Sequence, residues 1–338
     1  MKTSVLAVPL LAALLAAAPP RVPAQVELRN FDGTAVAAPR LDAPAQPEAP
    51  ARGRDVTEEF LAASARPGAD AKAGLGERLR GYKVLLVPGL FSNVDKSRLP
   101  VAGIFFSSST KPRYEEHMAV LRELGVEHER LALQTESSVR VNGAEIARHI
   151  RASDKPVILL ASSKAGLDVL AGLLASPELH RKVRGVAMLQ APFYGTPIAD
   201  AIIDEGREDS LLGRILGSLG GSIDCLNDLT TEKTGRYMER NASAIVRLTA
   251  AVPVISVATW VDKPPKGEQD TGLKLLRNYL LKRGYTNDGL VPVESALLPG
   301  SDFVKLPGAD HGATAQPTKL AFDRAAMTRA LLEMLLAR

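Results

Sequence analysis

Three residues of this chain have the types needed for acyl transfer and follow one another in the order Ser163, Asp288, His311. A serine hydroxyl is a weak nucleophile until a histidine takes its proton, and a carboxylate must orient that histidine. Ser163 lies in Leu160-Ala-Ser-Ser-Lys-Ala-Gly166, where an aliphatic run meets a helical pattern. A sharp strand-to-helix turn that exposes a hydroxyl needs small residues two positions to either side. Ala161 and Ala165 meet that need around Ser163, whereas Leu160 and Lys164 flank Ser162. Sterics therefore select Ser163. Taken alone, the same two serines could simply cap a helix.

Of the five histidines, His117, His128, His149 and His180 fall in or beside amphipathic segments, which predicts solvated faces for them. His311 differs, because Pro307-Gly-Ala-Asp-His-Gly312 reads as a loop between a short strand and the final helix. Asp288 sits in Thr286-Asn-Asp-Gly-Leu-Val-Pro292, also a loop with a turn signal. Asp310 competes for the acid role, but neighbours in sequence rarely face each other in such loops. Acyl transfer also needs donors aimed at the developing oxyanion. The expected donors are the backbone N–H groups of Lys164, next after the nucleophile, and Leu90, in the sharp turn Val87-Pro-Gly-Leu90.

Stepping along the chain, aliphatic runs predict strands over 83–87, 130–133, 156–160, 183–189, 253–258 and 304–306. Helical spacing predicts helices over 114–124, with Pro112 as a first helical residue, over 142–151 capped by Asn142, over 165–175 and over 316–337. Such alternation implies a mostly parallel central sheet with helices on both faces, an α/β domain over 81–338. Residues 1–24 pair a charged start with a short apolar run and a small-residue exit, the pattern of a secretory signal peptide. Residues 25–80 are rich in Ala and Pro and predict a tether, largely disordered, with a short helix begun by Thr57 as its one element.

These residues together resemble the secreted bacterial triacylglycerol lipases and esterases of the α/β-hydrolase superfamily, in order over nearly all of 82–338. Val87-Pro-Gly-Leu90 is similar to the family's oxyanion strand end, and Ala161 to Gly166 to its nucleophile elbow. Gln190-Ala-Pro-Phe-Tyr-Gly-Thr-Pro-Ile-Ala-Asp200 and Leu226-Asn-Asp-Leu-Thr-Thr231 resemble two further family segments, and Asn287-Asp-Gly-Leu-Val291 matches N-D-G-L-V. The resemblance implies an α/β-hydrolase fold with a helical lid or cap at about 201–245. It also implies a serine ester hydrolase working through a Ser-Asp-His triad and an acyl-enzyme.

The departures carry their own expectations. The family binds calcium through an aspartate two residues past the catalytic histidine; Ala313 stands there, so no cofactor or metal is expected. One cysteine, Cys225, leaves no intramolecular disulfide. Lys164 follows the nucleophile directly: its side chain either pairs with Asp168 one turn on or attracts an anionic group of a substrate.

The 338 residues carry 42 Lys plus Arg against 38 Asp plus Glu, a net charge of +4 with no dense basic run. That balance argues against a nucleic-acid partner. Loss of Lys2 and Arg21 with a signal peptide would halve the excess. The expected partners are a small-molecule ester or lipid, with transient lipid contact through the lid, and the expected location is exported, periplasmic or secreted. Two rivals remain at this stage: an acyltransferase of the same fold and a catalytically silent binding protein.

Overall fold

The computed structural model describes residues 28–29, 35–36, 53–66, 74–90, 92, 113–205 and 223–338. The strands β1 (Lys83–Val87), β2 (Glu127–Arg130), β3 (Val157–Ser162), β4 (Val183–Leu189), β5 (Val254–Trp260) and β6 (Asp302–Pro307) form one sheet. Their order is β2-β1-β3-β4-β5-β6, and every neighbouring pair is parallel. The chain steps from β1 to one side, then returns to build the rest on the other side. The order therefore reverses between β1 and β3, and the crevice at such a reversal, beyond the carboxyl ends of the strands, is where ligands bind in open α/β sheets.

The helices along the chain are α1 (Thr57–Ser64), α2 (Leu75–Leu79), α3 (Glu115–Glu123), α4 (Val139–Ala152), α5 (Lys164–Ala175) and α6 (Pro197–Glu205). They continue as α7 (Ile223–Asn227), α8 (Thr231–Arg240), α9 (Ala242–Ala251), α10 (Lys274–Leu281) and α11 (Arg324–Ala337). Alternation along the strands divides the interior in two. Leu85, Val87, Leu159, Ala161, Val186 and Met188 face a core shared with α4, α5, α8 and α9. Val84, Leu86, Ile158, Leu160, Ala187 and Leu189 face a second core with α1, α2, α3 and α11. Burial on both faces explains why the central strands read as unbroken aliphatic runs.

Several expectations change. Within the tether expected over 25–80, α1 and α2 are parts of the domain: Phe60, Ala63, Leu75 and Leu79 are buried in the second core. Val56 N–H donates to Phe303 O at 2.9 Å and Phe303 N–H to Arg54 O at 3.0 Å, so this segment extends the sheet beyond β6. Asp302 accepts from the N–H groups of Gly53 and Arg54 and from the Arg338 guanidinium. The signal segment 1–24 and Pro112 lie outside the described residues, as does 206–222 of the expected lid. The described remainder of that lid includes Leu229, Tyr237, Met238, Ala244 and Ile245, which belong to the first core.

The strand expected at 130–133 runs instead over Glu127–Arg130, in register with Lys83–Leu86. It is an edge strand, where charged side chains are tolerated. Leu131 and Leu133 lie just past it in the core. Asn142 does not cap α4; Ser138 does, accepting from Val141 N–H, and Asn142 is buried within the helix. The last helix starts at Arg324 rather than 316, because the Asp323 carboxylate accepts from Ala326 N–H at 2.8 Å and caps it there. His117 is fully buried, not on a solvated face.

Candidate active site

Ser163 sits between β3 and α5 at φ 57° and ψ −134°, a backbone strained for any residue but glycine. Its N–H donates to Leu189 O at 2.8 Å, while its carbonyl accepts from Gly166 N–H at 2.9 Å, closing the turn. The turn is possible because its surroundings are stripped of side chains. A Cβ at Gly89 would lie 2.5 Å from Ser162 O and 2.9 Å from Ser163 Cβ, and one at Gly166 would overlap Ala191. The β1 end carrying Leu90 therefore abuts the serine directly. Three non-glycine residues among those described have positive φ: Tyr114, Ser163 and Gln190. Tyr114 donates its hydroxyl to Val87 O at 2.9 Å, and its N–H to Ala315 O at 2.7 Å. Backbone strain of this kind concentrates where geometry is over-determined.

The structure brings Ser163, His311 and Asp288 together. His311 Nε2 lies 2.9 Å from Ser163 Oγ, and Nδ1 lies 2.9 Å from Asp288 Oδ2. Asp288 is buried, and its other oxygen accepts from the N–H groups of Leu290 at 2.9 Å and Val291 at 2.8 Å. The N-D-G-L-V run now has a physical account. Asn287 Oδ1 accepts from Gly289 N–H, Gly289 takes φ 105°, and the next two N–H groups close on the carboxylate. His311 N–H also donates to Asp288 O at 2.7 Å, tying the two loops by backbone as well as side chain. Asp310, the rival acid, turns away: its Oδ2 accepts from Thr271 Oγ1, and burial raises its pKa.

Of the two expected oxyanion donors, Leu90 follows Gly89, the residue that abuts Ser163, and Lys164 opens α5. The Lys164 side chain is buried and donates to Asp168 at 2.8 and 3.1 Å, the pairing reading rather than the substrate-facing one. Asn142 Nδ2 donates to the same carboxylate at 3.2 Å. Burial nevertheless pushes the Asp168 carboxyl up to about 6. Among the described residues no group of three or more His, Cys, Asp or Glu side chains could hold a metal ion. No helix among them is long and apolar enough to cross a membrane.

Sequence reasoning missed Gln190, whose side-chain amide reaches the His311 loop, and Arg277, whose buried guanidinium binds Asp270 and whose carbonyl accepts from Asn287 Nδ2, next to Asp288. The available signal at Gln190 was its place as the first residue past β4, a carboxyl end like that of β3.

No protein-family model and no curated protein sequence matches the chain. Solved structures do. Over 70% of this chain and 86% of the other, it is similar to the mature form of the lipase BlEst2 of Bacillus licheniformis, with 20% identity and a TM-score of 0.53. Over 75% of each chain it is similar to a metagenomic carboxyl esterase, MGS0156, with 22% identity and a TM-score of 0.60. Both likenesses are at the level of the fold, and with its six-stranded parallel sheet flanked by helices the chain has the α/β-hydrolase fold.

Proposed function

We propose that the protein is a serine carboxylic-ester hydrolase acting on a small-molecule ester or lipid. The observation that carries this reading is the continuous chain Ser163 Oγ, His311, Asp288, made of two 2.9 Å contacts at the point where strand order reverses. Ser163 Oγ attacks the acyl carbon while His311 Nε2 takes its proton. His311 then returns that proton to the departing alcohol oxygen, leaving an ester on Ser163. Water, deprotonated by His311, releases the acid and restores the serine. Asp288 holds the Nδ1 proton of His311 and stabilises the imidazolium, and its own charge is held by two backbone N–H groups. The N–H groups of Leu90 and Lys164 receive the oxyanion. Nothing in this sequence of steps calls for a metal, and Ala313 offers no ligand. Export is the reading of residues 1–24.

The test is a chain-length series of p-nitrophenyl esters, with Ser163→Ala as control. Release is expected from the wild type and should fall to background in the variant; equal rates in both would contradict the reading. Added alcohol acceptors separate hydrolysis from acyl transfer by their products.

A further inference from the structure

We propose that Gln190 is a positioning residue that holds His311 in register with Ser163, an inference that rests on the hydrolase reading above. Its side-chain amide is buried and uses all four of its hydrogen-bonding positions. Nε2 donates to Asp310 O at 2.9 Å and to Thr259 Oγ1 on the neighbouring strand β5. Oε1 accepts from Gly312 N–H at 3.2 Å and from Thr314 Oγ1 at 2.8 Å. Asp310 and Gly312 are the residues on either side of His311, so one amide grips the histidine's backbone from both flanks.

The gripping is oriented. Turning the amide over would set its oxygen against Asp310 O and its NH2 against Gly312 N–H, two like-with-like contacts, so the hydrogen-bond pattern admits a single arrangement. The backbone of Gln190 is held at φ 54°, and its N–H donates to Val257 O at 2.7 Å. A glycine would relax that conformation but would give up all four side-chain bonds. The anchor is rigid as well. Leu189, one residue before Gln190, accepts the Ser163 N–H, so the clamp and the nucleophile hang from one strand end. A displacement of about 1 Å in a reacting group can cost 10²-fold in rate, which is the scale on which such a clamp acts.

The experiment compares wild type, Gln190→Met, Gln190→Glu and Thr259→Val. Gln190→Met should lower kcat by at least about tenfold with KM within about twofold, because it misplaces the base without touching a substrate site. Amide hydrogen exchange at Gly312, whose N–H loses its acceptor, should quicken by at least about tenfold. Gln190→Glu places a carboxylate beside His311 and should move the acid limb of the kcat/KM profile to higher pH, since a nearby anion favours the imidazolium. A folded Gln190→Met with kcat and Gly312 exchange both within about twofold of wild type overturns the proposal. If Gln190→Met does not fold, Thr259→Val decides, with severalfold lower kcat and faster Gly312 exchange expected and wild-type values overturning. A wild type that a fluorophosphonate leaves unlabelled sinks the hydrolase reading instead, and Gly312 exchange then judges the clamp alone.

Discussion

The Lys164 ammonium lies 2.8 and 3.1 Å from the two oxygens of Asp168, one helical turn along α5, with both side chains cut off from solvent. The residue whose N–H is proposed to meet the oxyanion is thus anchored by its own side chain to the helix that follows. Burial raises Asp168 to about 6 in the folded protein, against an ordinary 3.8, even with Lys164 and Asn142 drawing it down. The native state therefore holds that proton more tightly than the unfolded chain. The resulting stability is present below about pH 4 and is lost as pH rises through about 6. Lys164→Met removes the compensating cation and carries this window upward. We expect it to cost roughly 3–5 kcal/mol at pH 8 and distinctly less at pH 5, read from urea midpoints. Equal losses at both pH values would contradict the pairing argument.

The elbow is a packing device before it is a chemical one. A methyl at Gly166 would collide with Ala191, the residue after Gln190. Gly166→Ala should cost about 1–3 kcal/mol and lower activity by distorting the turn that presents Ser163. Combining it with Ala191→Gly should recover much of the loss. Thermal unfolding and ester turnover of the three variants check this; strictly additive losses in the double variant would count against direct contact.

His117 supplies an acid-sensitive bond beneath the site. Its ring bridges Thr328 Oγ1 and Thr314 O, and burial lowers its pKa from 6.5 to about 4. The native state thus binds the proton less readily than the unfolded chain. Stability is present above about pH 6.5 and is lost as pH falls toward about 4. Urea midpoints measured at pH 7.5 and 5 should converge in His117→Gln relative to wild type.

Asp288→Asn should keep the acceptor oxygen that serves Leu290 and Val291 while abolishing the charge that orients His311. The expected result is a fall in kcat of roughly 10³–10⁴ with KM little changed. A loss under tenfold would return the acid role to Asp310.

What could be read from residue types was what depends on local pattern. Ser163, Asp288 and His311 announce themselves through small neighbours and turn residues in three separate loops, and the central strands through unbroken aliphatic runs. Glu127–Arg130 stayed hidden because an edge strand is free to be polar. Phe60 and Leu75 were lost in an Ala/Pro-rich background, since their burial depends on α11 and the second core, far away in sequence. Gln190 opens the segment 190–200, whose family resemblance says nothing of the His311 loop. Its meaning lies in two loop residues more than a hundred positions downstream, which no spacing reveals.

The central claim is that Ser163 is the nucleophile and that His311 and Asp288 activate it. The most direct measurement is mass spectrometry of the protein after exposure to a fluorophosphonate, comparing wild type, Ser163→Ala and His311→Ala. The account predicts one adduct per chain, mapped to the peptide containing Ser163, absent in Ser163→Ala and strongly slowed in His311→Ala. A folded wild-type protein that takes up no adduct, or takes it up on another serine, would contradict it.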